Sequence, residues 1–267
     1  MRIVFNPDFD RLSGDNFQSL AKPSAFFNRA VRFGDCSVRS SKEFIVTPED
    51  LFEVHDRDFV MSVLDHKVPN GYGEVSGLLN DHARRLCGVM VQGALWAYDD
   101  KATVCAPTQG FHHAGYDYCG GYCTFNGIAL AIKALRDQRC FDGRILIIDA
   151  DAHFGDGTAD ILEHVDLGDV VHRSYEQHNY PGARMLPIVI KETKPDLIIY
   201  QAGADAHVDD PYKAGYLSDR QLMDRDQAVL SSGIPTVWNL AGGYRGLQPV
   251  LDTHMTTWEV MRNNGRP

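Results

Sequence analysis

Short apolar runs alternate along the chain with longer segments of helical periodicity. Ile145 to Ile148 are four consecutive apolar residues that end abruptly in polar ones, a pattern typical of a parallel strand buried on both faces. In the segment 80–97 the apolar residues follow helical spacing, which predicts an amphipathic helix packed against a sheet. Other strands are predicted at 3–5, 103–106, 170–174, 197–200 and 236–240.

Capping signals predict further helices between these strands. Thr47 is followed by a proline and two acidic residues, the composition of a helix N-terminus. Ser218 and Gln221 form a capping box at the start of a helix over 218–231. The remaining helices are predicted at 24–33, 59–64, 124–136, just after 157, at 184–193 and from 247, and the rest of 10–45 is predicted as loop.

Strands that alternate with helices indicate an α/β fold, in which a central parallel sheet carries helices on both faces. The chain has 267 residues and no recognisable linker, so we predict a single domain over 1–267. A net charge of -10 argues against a nucleic-acid-binding surface, which needs clustered Lys and Arg. The same charge is compatible with a cationic substrate.

Cysteine usage and hydropathy indicate the compartment. The six cysteines show neither a disulfide framework nor zinc-knuckle spacing, which favours reduced thiols in the cytosol. The apolar part of the N-terminus is too short for a signal peptide, and no run approaches membrane-spanning length. We therefore predict a cytoplasmic protein without a membrane partner. Its oligomeric state stays open, a homodimer being one option.

The first candidate chemistry lies where the strand at 145–148 ends. Asp149, Asp151 and His153 alternate along the chain, so they project to one side as long as the backbone remains extended. Carboxylates and imidazoles are ligands of divalent metals, with zinc the leading candidate. The alternative is that the two carboxylates cap the next helix and that His153 is an ordinary loop residue.

Three other strand ends carry polar side chains. His112 and His113 follow the second predicted strand, Asp205 follows the fifth, and Tyr244 follows a pair of glycines after the sixth. In open α/β sheets, ligands bind just beyond the carboxyl ends of the strands. We therefore expect these side chains to meet in one site.

Taken in order, these motifs resemble those of the zinc-dependent histone deacetylase family, in the broad sense that includes bacterial acetylpolyamine amidohydrolases. The resemblance runs from VHDRDFV at 54–60 to GGY at 242–244. HHAGYDYCGGYCTFN, at 112–126, is most similar to the acetylpolyamine branch. The resemblance implies the arginase/deacetylase fold, which agrees with the predicted alternation.

The resemblance also implies a metal and a role for each candidate residue. Zn²⁺, with Fe²⁺ or Co²⁺ as substitutes, would be bound by Asp151, His153 and Asp205. The implied catalytic residues are His113 as general base and acid, His112 as its electrostatic partner, Asp149 and Asp156 as carboxylates that hold the imidazoles, and Tyr244 as hydrogen-bond donor to the oxyanion.

A substrate channel and a second ion are implied in the same way. Gly121, Tyr122 and Tyr180 match the channel walls of the family; the alternative for each tyrosine is a partly exposed core position. A K⁺ ion would lie near the zinc, several of its ligands being backbone carbonyls, and the matching positions are Asp149, Asp151, His153 and Ser174.

The implied function is the removal of an acetyl or other acyl group from an amine, such as acetyl-lysine, an acetylpolyamine or a small N-acetylated metabolite. One alternative is a non-catalytic protein that binds an acylated ligand on the same fold. Another is an arginase-like ureohydrolase, but that enzyme needs further aspartates at the positions of Gly155 and His207. Other histidines, including His55 and His172, are predicted to have structural or surface roles.

Overall fold

Parallel strands form the centre of the protein in a computed structural model, which describes residues 1–12, 18–212 and 214–264. The strands are β1 (Arg2–Phe5), β2 (Ser37–Ser40), β3 (Thr103–Cys105), β4 (Ile145–Asp149), β5 (Val170–Ser174), β6 (Leu197–Gln201) and β7 (Thr236–Asn239). They make one sheet in the order β2-β1-β3-β7-β6-β4-β5, and every neighbouring pair is parallel.

Helices lie on both faces of this sheet. They are α1 (Gln18–Ala30), α2 (Pro48–Phe52), α3 (Arg57–Leu64), α4 (Gly77–Asp100), α5 (Gly127–Arg139), α6 (Asp156–His164), α7 (Leu186–Thr193), α8 (Asp219–Leu230) and α9 (Leu247–Asn264). Among the described residues, no helix has both the length and the apolar character needed to cross a membrane.

The two faces of β4 show why its sequence is apolar throughout. Ile145 and Ile147 belong to a core shared with α4, α5 and α6, whereas Leu146 and Ile148 belong to a second core shared with α1, α7, α8 and α9. All four side chains are fully buried. Because alternate side chains point to opposite faces, a strand covered on both sides needs apolar residues at every position.

The predicted α/β fold is confirmed, with differences of detail of which the clearest concern one strand and one helix. β2 was not predicted, because all four of its residues are exposed and it pairs only with β1 at the sheet edge, so it shows no apolar run. The helix predicted at 24–33 starts earlier, at Gln18. Within the predicted loop segment 10–45, residues 13–17 lie outside the described residues. The capping boxes at Thr47 and Ser218 both form.

The strand order places the candidate chemistry at one edge. β3, β7, β6 and β4 are consecutive neighbours in the sheet, and they are the strands whose following loops carry the polar residues singled out above. Since all run in the same direction, their four carboxyl-end loops lie side by side.

Candidate metal centre and active site

Two carboxylates and one imidazole converge where the loops after β4 and β6 meet. The ligand atoms of Asp151, His153 and Asp205 all lie within 4.8 Å of one another. His153 Nδ1 is 3.1 Å from Asp151 Oδ1 and 3.1 Å from Asp205 Oδ2. Among the described residues this is the one group of three or more His, Cys, Asp or Glu side chains arranged in this way. The three residues predicted as ligands are therefore together.

The two negatively charged carboxylates of this cluster favour a bound cation. Asp151 and Asp205 are buried, and burial together with the nearby Asp151 raises the pKa of Asp205 to about 7. The hydrogen bonds to these carboxylates raise the pKa of His153 to about 10. Two carboxylates buried at such close range repel each other, so a shared proton or a positive charge beside them stabilises the pair. A divalent ion supplies that charge and takes both oxygen and nitrogen ligands.

Backbone groups hold the two carboxylates in place. The N–H of Gly242 donates to Asp151 Oδ2 at 2.9 Å, and the N–H of Ala152 donates to Asp205 Oδ1 at 3.2 Å. A Cβ at Gly242 would lie 2.6 Å from Asp151 Oδ2 and closer still to Asp205 Oδ2. A Cβ at Gly203 would lie 2.6 Å from Asp151 Cα. Glycine is required at both positions because the loops approach without room for a side chain.

Each histidine of the tandem pair is bound to its own carboxylate. His112 Nδ1 is 2.8 Å from Asp149 Oδ2, and His113 Nδ1 is 2.5 Å from Asp156 Oδ1. Burial lowers the pKa of His112, but Asp149 and Asp151 more than offset it and raise the value to about 9. His112 is fully buried, whereas 25% of the His113 side chain is exposed. His113 is therefore the partner that a ligand can reach.

A buried histidine fixes the loop that carries this pair. His55 Nδ1 is 2.7 Å from the carbonyl oxygen of Gly115, and its Nε2 accepts a hydrogen bond from the N–H of Asn126 at 3.0 Å. Nδ1 must then carry the proton and donate it to Gly115. Asn126 in turn caps α5 and donates from Nδ2 to the carbonyl oxygen of Ala114. The structural role of His55 is therefore to connect the loop of the histidine pair to the start of α5.

Tyr244 stands at the fourth strand end. Its backbone N–H donates to Asp210 Oδ2 at 2.9 Å. Burial and the nearby Asp151 and Asp205 raise the pKa of its phenol far above the usual value. The hydroxyl therefore stays protonated and remains a donor. Asp210 also accepts from the N–H of Tyr212, so one carboxylate orders the backbone at both tyrosines.

A cavity of about 740 Å³ opens onto these groups. Its floor includes His112, His113, Asp151, His153 and Tyr244, and its walls include Tyr72, Tyr122, Tyr212 and the backbone of 69–73 and 119–121. The hydroxyls of Tyr122 and Tyr212 lie 3.0 Å apart. The ring of Tyr212 meets that of Tyr244 edge-on, with centroids 4.6 Å apart.

Two of the three predicted channel residues line the cavity and the third does not. Gly121 and Tyr122 line the cavity, and a Cβ at Gly121 would collide with the His113 ring. Tyr180 instead packs against Tyr175 and Tyr216, with ring centroids 6.1 and 5.7 Å away. The structure does not place Tyr180 among the residues that line this cavity, because its ring is held in this separate aromatic cluster. Tyr212, and not Tyr180, lines the cavity together with Tyr122.

Comparison with known proteins gives the family. A profile described as the histone deacetylase domain matches residues 19–187 and 171–258, which is most of the chain. The chain belongs to the histone deacetylase family.

Curated relatives of this deacetylase-family chain are distant in sequence. An uncharacterized protein of Picosynechococcus is 27% identical over 75% of this chain and 80% of its own length. A probable deacetylase of Methanothermobacter thermautotrophicus is 24% identical over 91% of this chain and 86% of its own length. Acetylpolyamine amidohydrolase 1 of Pseudomonas aeruginosa is 29% identical over 58% of this chain, a match that spans 53% of that enzyme. Family membership and these names support a deacetylase role.

Gly155 and His207, the positions where an arginase-like enzyme needs further aspartates, have other surroundings in the structure. A Cβ at Gly155 would lie 2.5 Å from Asp149 Oδ2, so the carboxylate already present leaves no space for an aspartate there. His207 does not join the metal group: its Nδ1 accepts from the N–H of Asp209, and its Nε2 is 3.3 Å from Asp219. Within the part of the chain that the structure describes, a single metal-binding group is present and neither position adds a ligand to it.

The K⁺ site implied by the resemblance stays a prediction. The Ser174 hydroxyl accepts from the N–H of Gly155 at 3.0 Å, and the Ser174 carbonyl oxygen accepts from Asn179 Nδ2 at 3.1 Å. The Asp149 carbonyl oxygen accepts from the N–H of Tyr175. A carbonyl oxygen has two lone pairs, so these bonds leave acceptor capacity at both oxygens.

Some residues around the candidate site were not found from the sequence. Tyr212 and the turn at 69–73 line the cavity, and Asp210 orders Tyr244. His172 on β5 lies beside the site, with Nε2 4.0 Å from Asp149 Oδ2. For His172 a signal did exist, since the apolar run of β5 is interrupted at the position that pairs with Ile147.

Proposed function

We propose that this protein is a zinc-dependent deacetylase that hydrolyses the amide of an N-acetylated, slender aliphatic amine. The observation that carries the proposal is the joint presence of a three-ligand metal group, two carboxylate-bound histidines and a tyrosine hydroxyl around one cavity. Asp151, His153 and Asp205 would hold the ion. When bound, a divalent ion of this kind polarises a carbonyl and lowers the pKa of water, leaving open coordination for both.

His113 is the proposed general base and acid. Its Nδ1–H is committed to Asp156, so the lone pair at Nε2 is available to take a proton from the attacking water. Once the C–N bond breaks, the same Nε2–H returns that proton to the leaving amine. Asp156 fixes the tautomer and stabilises the imidazolium in between.

His112 and Tyr244 supply the remaining electrostatics. His112, bound to Asp149, has its Nε2 3.6 Å from Asp151 Oδ1, so its positive charge balances the buried carboxylates. The Tyr244 hydroxyl donates to the oxygen that gains negative charge when water adds to the acyl carbon. Loss of one such donor costs about 10²–10³ in kcat in other enzymes.

The wall of the cavity supports a small acylated amine as substrate. Tyr72, Tyr122 and Tyr212 line the same cavity as His113, and aromatic rings hold an aliphatic chain or an amine cation on their faces. The name of the Pseudomonas aeruginosa relative, acetylpolyamine amidohydrolase 1, supports the same class. Acetyl-lysine in a peptide is the second candidate, because its side chain has the same slender form.

Acetate release tests the proposal. Zinc-loaded protein is incubated with acetylputrescine, an acetyl-lysine peptide and a small N-acetyl monoamine, and acetate is measured over time. We expect release from at least one substrate and a loss of about 10²–10³ in kcat for Tyr244→Phe. Tyr216→Phe is the matched control, because that hydroxyl donates to the Tyr175 carbonyl oxygen outside the cavity.

The outcomes separate the candidate functions. Release that falls in Tyr244→Phe but not in Tyr216→Phe supports catalysis at this site. Zinc bound to folded protein with no acetate from any substrate contradicts the proposal. In that case, saturable binding of an acetylated amine measured by calorimetry would favour the non-catalytic binding protein.

A further inference from the structure

A buried ion pair on α8 contacts both loops that carry the carboxylate ligands. Arg225 and Asp226 are each 1% exposed, and Arg225 Nη2 lies 2.9 Å from Asp226 Oδ1. The mechanism proposed above uses neither residue. Burial removes the hydration of both charges, which their mutual attraction must offset, and an apolar pair would fill the same space without that cost. The contacts of the guanidinium indicate what the pair does.

One nitrogen of Arg225 joins the two loops. Its Nη1 donates to the carbonyl oxygen of Ala150 at 2.9 Å and to that of Gly203 at 3.0 Å. Ala150 directly precedes Asp151, and Gly203 lies two residues before Asp205. Since both hydrogens of one nitrogen are used, the two peptide groups are held at a fixed separation from a single rigid plane.

Asp226 holds that plane in position from three elements. Arg225 Nε donates to its Oδ1 at 3.0 Å. The Tyr200 hydroxyl on β6 donates to the same oxygen, and the Thr257 hydroxyl on α9 donates to Oδ2, each at 2.5 Å. The guanidinium is therefore anchored to α8, the sheet and α9 before it reaches the loops.

We propose that Arg225 is a positioning residue of the metal centre, which sets the spacing of the Asp151 and Asp205 loops and thereby the affinity for the ion. The inference rests on the proposed metal site but not on the reaction carried out there. Lysine cannot replace arginine in this role, because a single ammonium has no planar fork to bond the carboxylate and both carbonyls together. Loss of such outer contacts typically weakens metal binding by about 10- to 100-fold.

The test measures metal affinity directly. Metal-free Arg225→Lys is titrated with Zn²⁺ against a chromophoric chelator, and its Co²⁺ complex is examined by visible absorption. We expect zinc affinity to fall about 10- to 100-fold and the Co²⁺ bands to shift, because the ligand geometry changes. Arg220→Lys is the matched control: Arg220 lies on the same helix but is exposed and pairs only with Asp224 among the described ion pairs, so its variant should bind zinc as the parent does.

A second control separates positioning from stability. Tyr200→Phe removes a hydrogen bond to Asp226 but leaves both bonds from Arg225 Nη1. We expect it to lower the Tm of the metal-free protein while zinc affinity stays at the parent value. If Arg225→Lys lowers Tm but binds zinc like the parent, Arg225 is only a stabilising residue and the inference is wrong.

Two further results would also bear on the role of Arg225. If Arg225→Lys does not fold, Asp226→Asn replaces it; this variant keeps the shape but weakens the anchor, and it must reduce zinc affinity more than Tyr200→Phe for the inference to stand. If the parent binds zinc tightly, Arg225→Lys binds it weakly, and no acetylated amine is hydrolysed, the proposed reaction fails while the role of Arg225 holds.

Discussion

The metal centre and the cavity rim are built on different principles. At the centre, buried carboxylates are held by backbone N–H groups, and a Cβ at Gly203 or Gly242 would fall within 2.6 Å of an aspartate atom. At the rim, Tyr212 is 55% exposed and meets Tyr122 through a pair of hydroxyls. The centre therefore has one geometry that its packing permits, whereas the rim is adjusted by single side chains.

This difference assigns separate functions to the two regions. Close backbone packing keeps ligand atoms where an ion needs them, and preorganisation of this kind is what catalysis requires. Side chains at an open rim change the shape of the entrance without moving the ligands. We therefore expect changes at the centre to abolish metal binding or stability, and changes at the rim to alter substrate preference only.

Acidification should have the largest effect on this region, because it protonates His55, which holds the loop of the histidine pair. The quantity affected is the free energy of unfolding. Burial lowers the pKa of His55 to about 4, below the value near 6.5 in an unfolded chain. The unfolded chain thus binds more protons between these values, and stability falls as the pH drops from about 6.5 to 4, by roughly 3 kcal/mol for this residue. Protonation would remove the Nε2 acceptor that the N–H of Asn126 uses.

Urea unfolding of the metal-free protein at pH 7 and pH 4 measures this effect. His55→Asn should be less stable than the parent at pH 7 but lose less stability on acidification, since the buried titrating group is gone. His178→Asn is the control, because that imidazole is 75% exposed. Equal pH dependence in the parent and in His55→Asn would show that His55 does not couple protonation to folding.

The second largest effect is expected for an added methyl group at the metal centre, which should lower the zinc affinity. Gly242→Ala places a Cβ between Asp151 and Asp205, so one carboxylate must move away from the ion. We expect zinc affinity to fall roughly 50-fold, which corresponds to about 2.3 kcal/mol. Competition with a chromophoric chelator gives the value.

The rim supplies the matched control for this substitution. Gly120 lines the cavity without positive φ, and apart from its chain neighbours no atom of the described residues lies within 4 Å of a Cβ placed there. Gly120→Ala should therefore bind zinc like the parent. If both alanine variants bind zinc equally well, the contrast between a rigid centre and an adjustable rim is wrong.

The same contrast explains which parts of the site could be predicted from sequence. Asp149 is the last residue of a buried strand, and Asp151 and His153 follow within four residues, so the strand fixes their place. His112, Asp205 and Tyr244 follow neighbouring strands, and parallel pairing brings all of them to one edge. Local pattern plus the geometry of a parallel sheet predicts that these side chains meet, whereas the division into metal ligands and catalytic residues comes from the family resemblance and stays a prediction.

The rim could not be predicted in this way, because long loops determine it. Tyr180 precedes a Pro-Gly turn that looks like a channel wall, but its ring packs against Tyr175 and Tyr216. Asp210 lies in the loop after β6, and its bond to the Tyr244 N–H spans 34 residues. Contacts of this kind depend on the path of two loops, which no periodicity encodes.

Tyr212→Phe should have the smallest effect and sharpens the comparison. Phenylalanine keeps the edge-on contact with Tyr244 but loses the hydrogen bond to the Tyr122 hydroxyl, so the entrance becomes less well defined while the centre is unchanged. We expect KM to rise about 2- to 5-fold, consistent with loss of one neutral hydrogen bond of about 0.5–1 kcal/mol, with kcat and zinc affinity unaltered.

Steady-state kinetics on the substrate found by acetate release measures this effect. Tyr98→Phe is the control, because the Tyr98 ring packs against Phe141 on α4's side of the sheet, and it should leave KM and kcat unchanged. A fall in kcat with constant KM would instead mean that Tyr212 acts on the reacting groups through Tyr244, and the rim would then be part of the rigid centre.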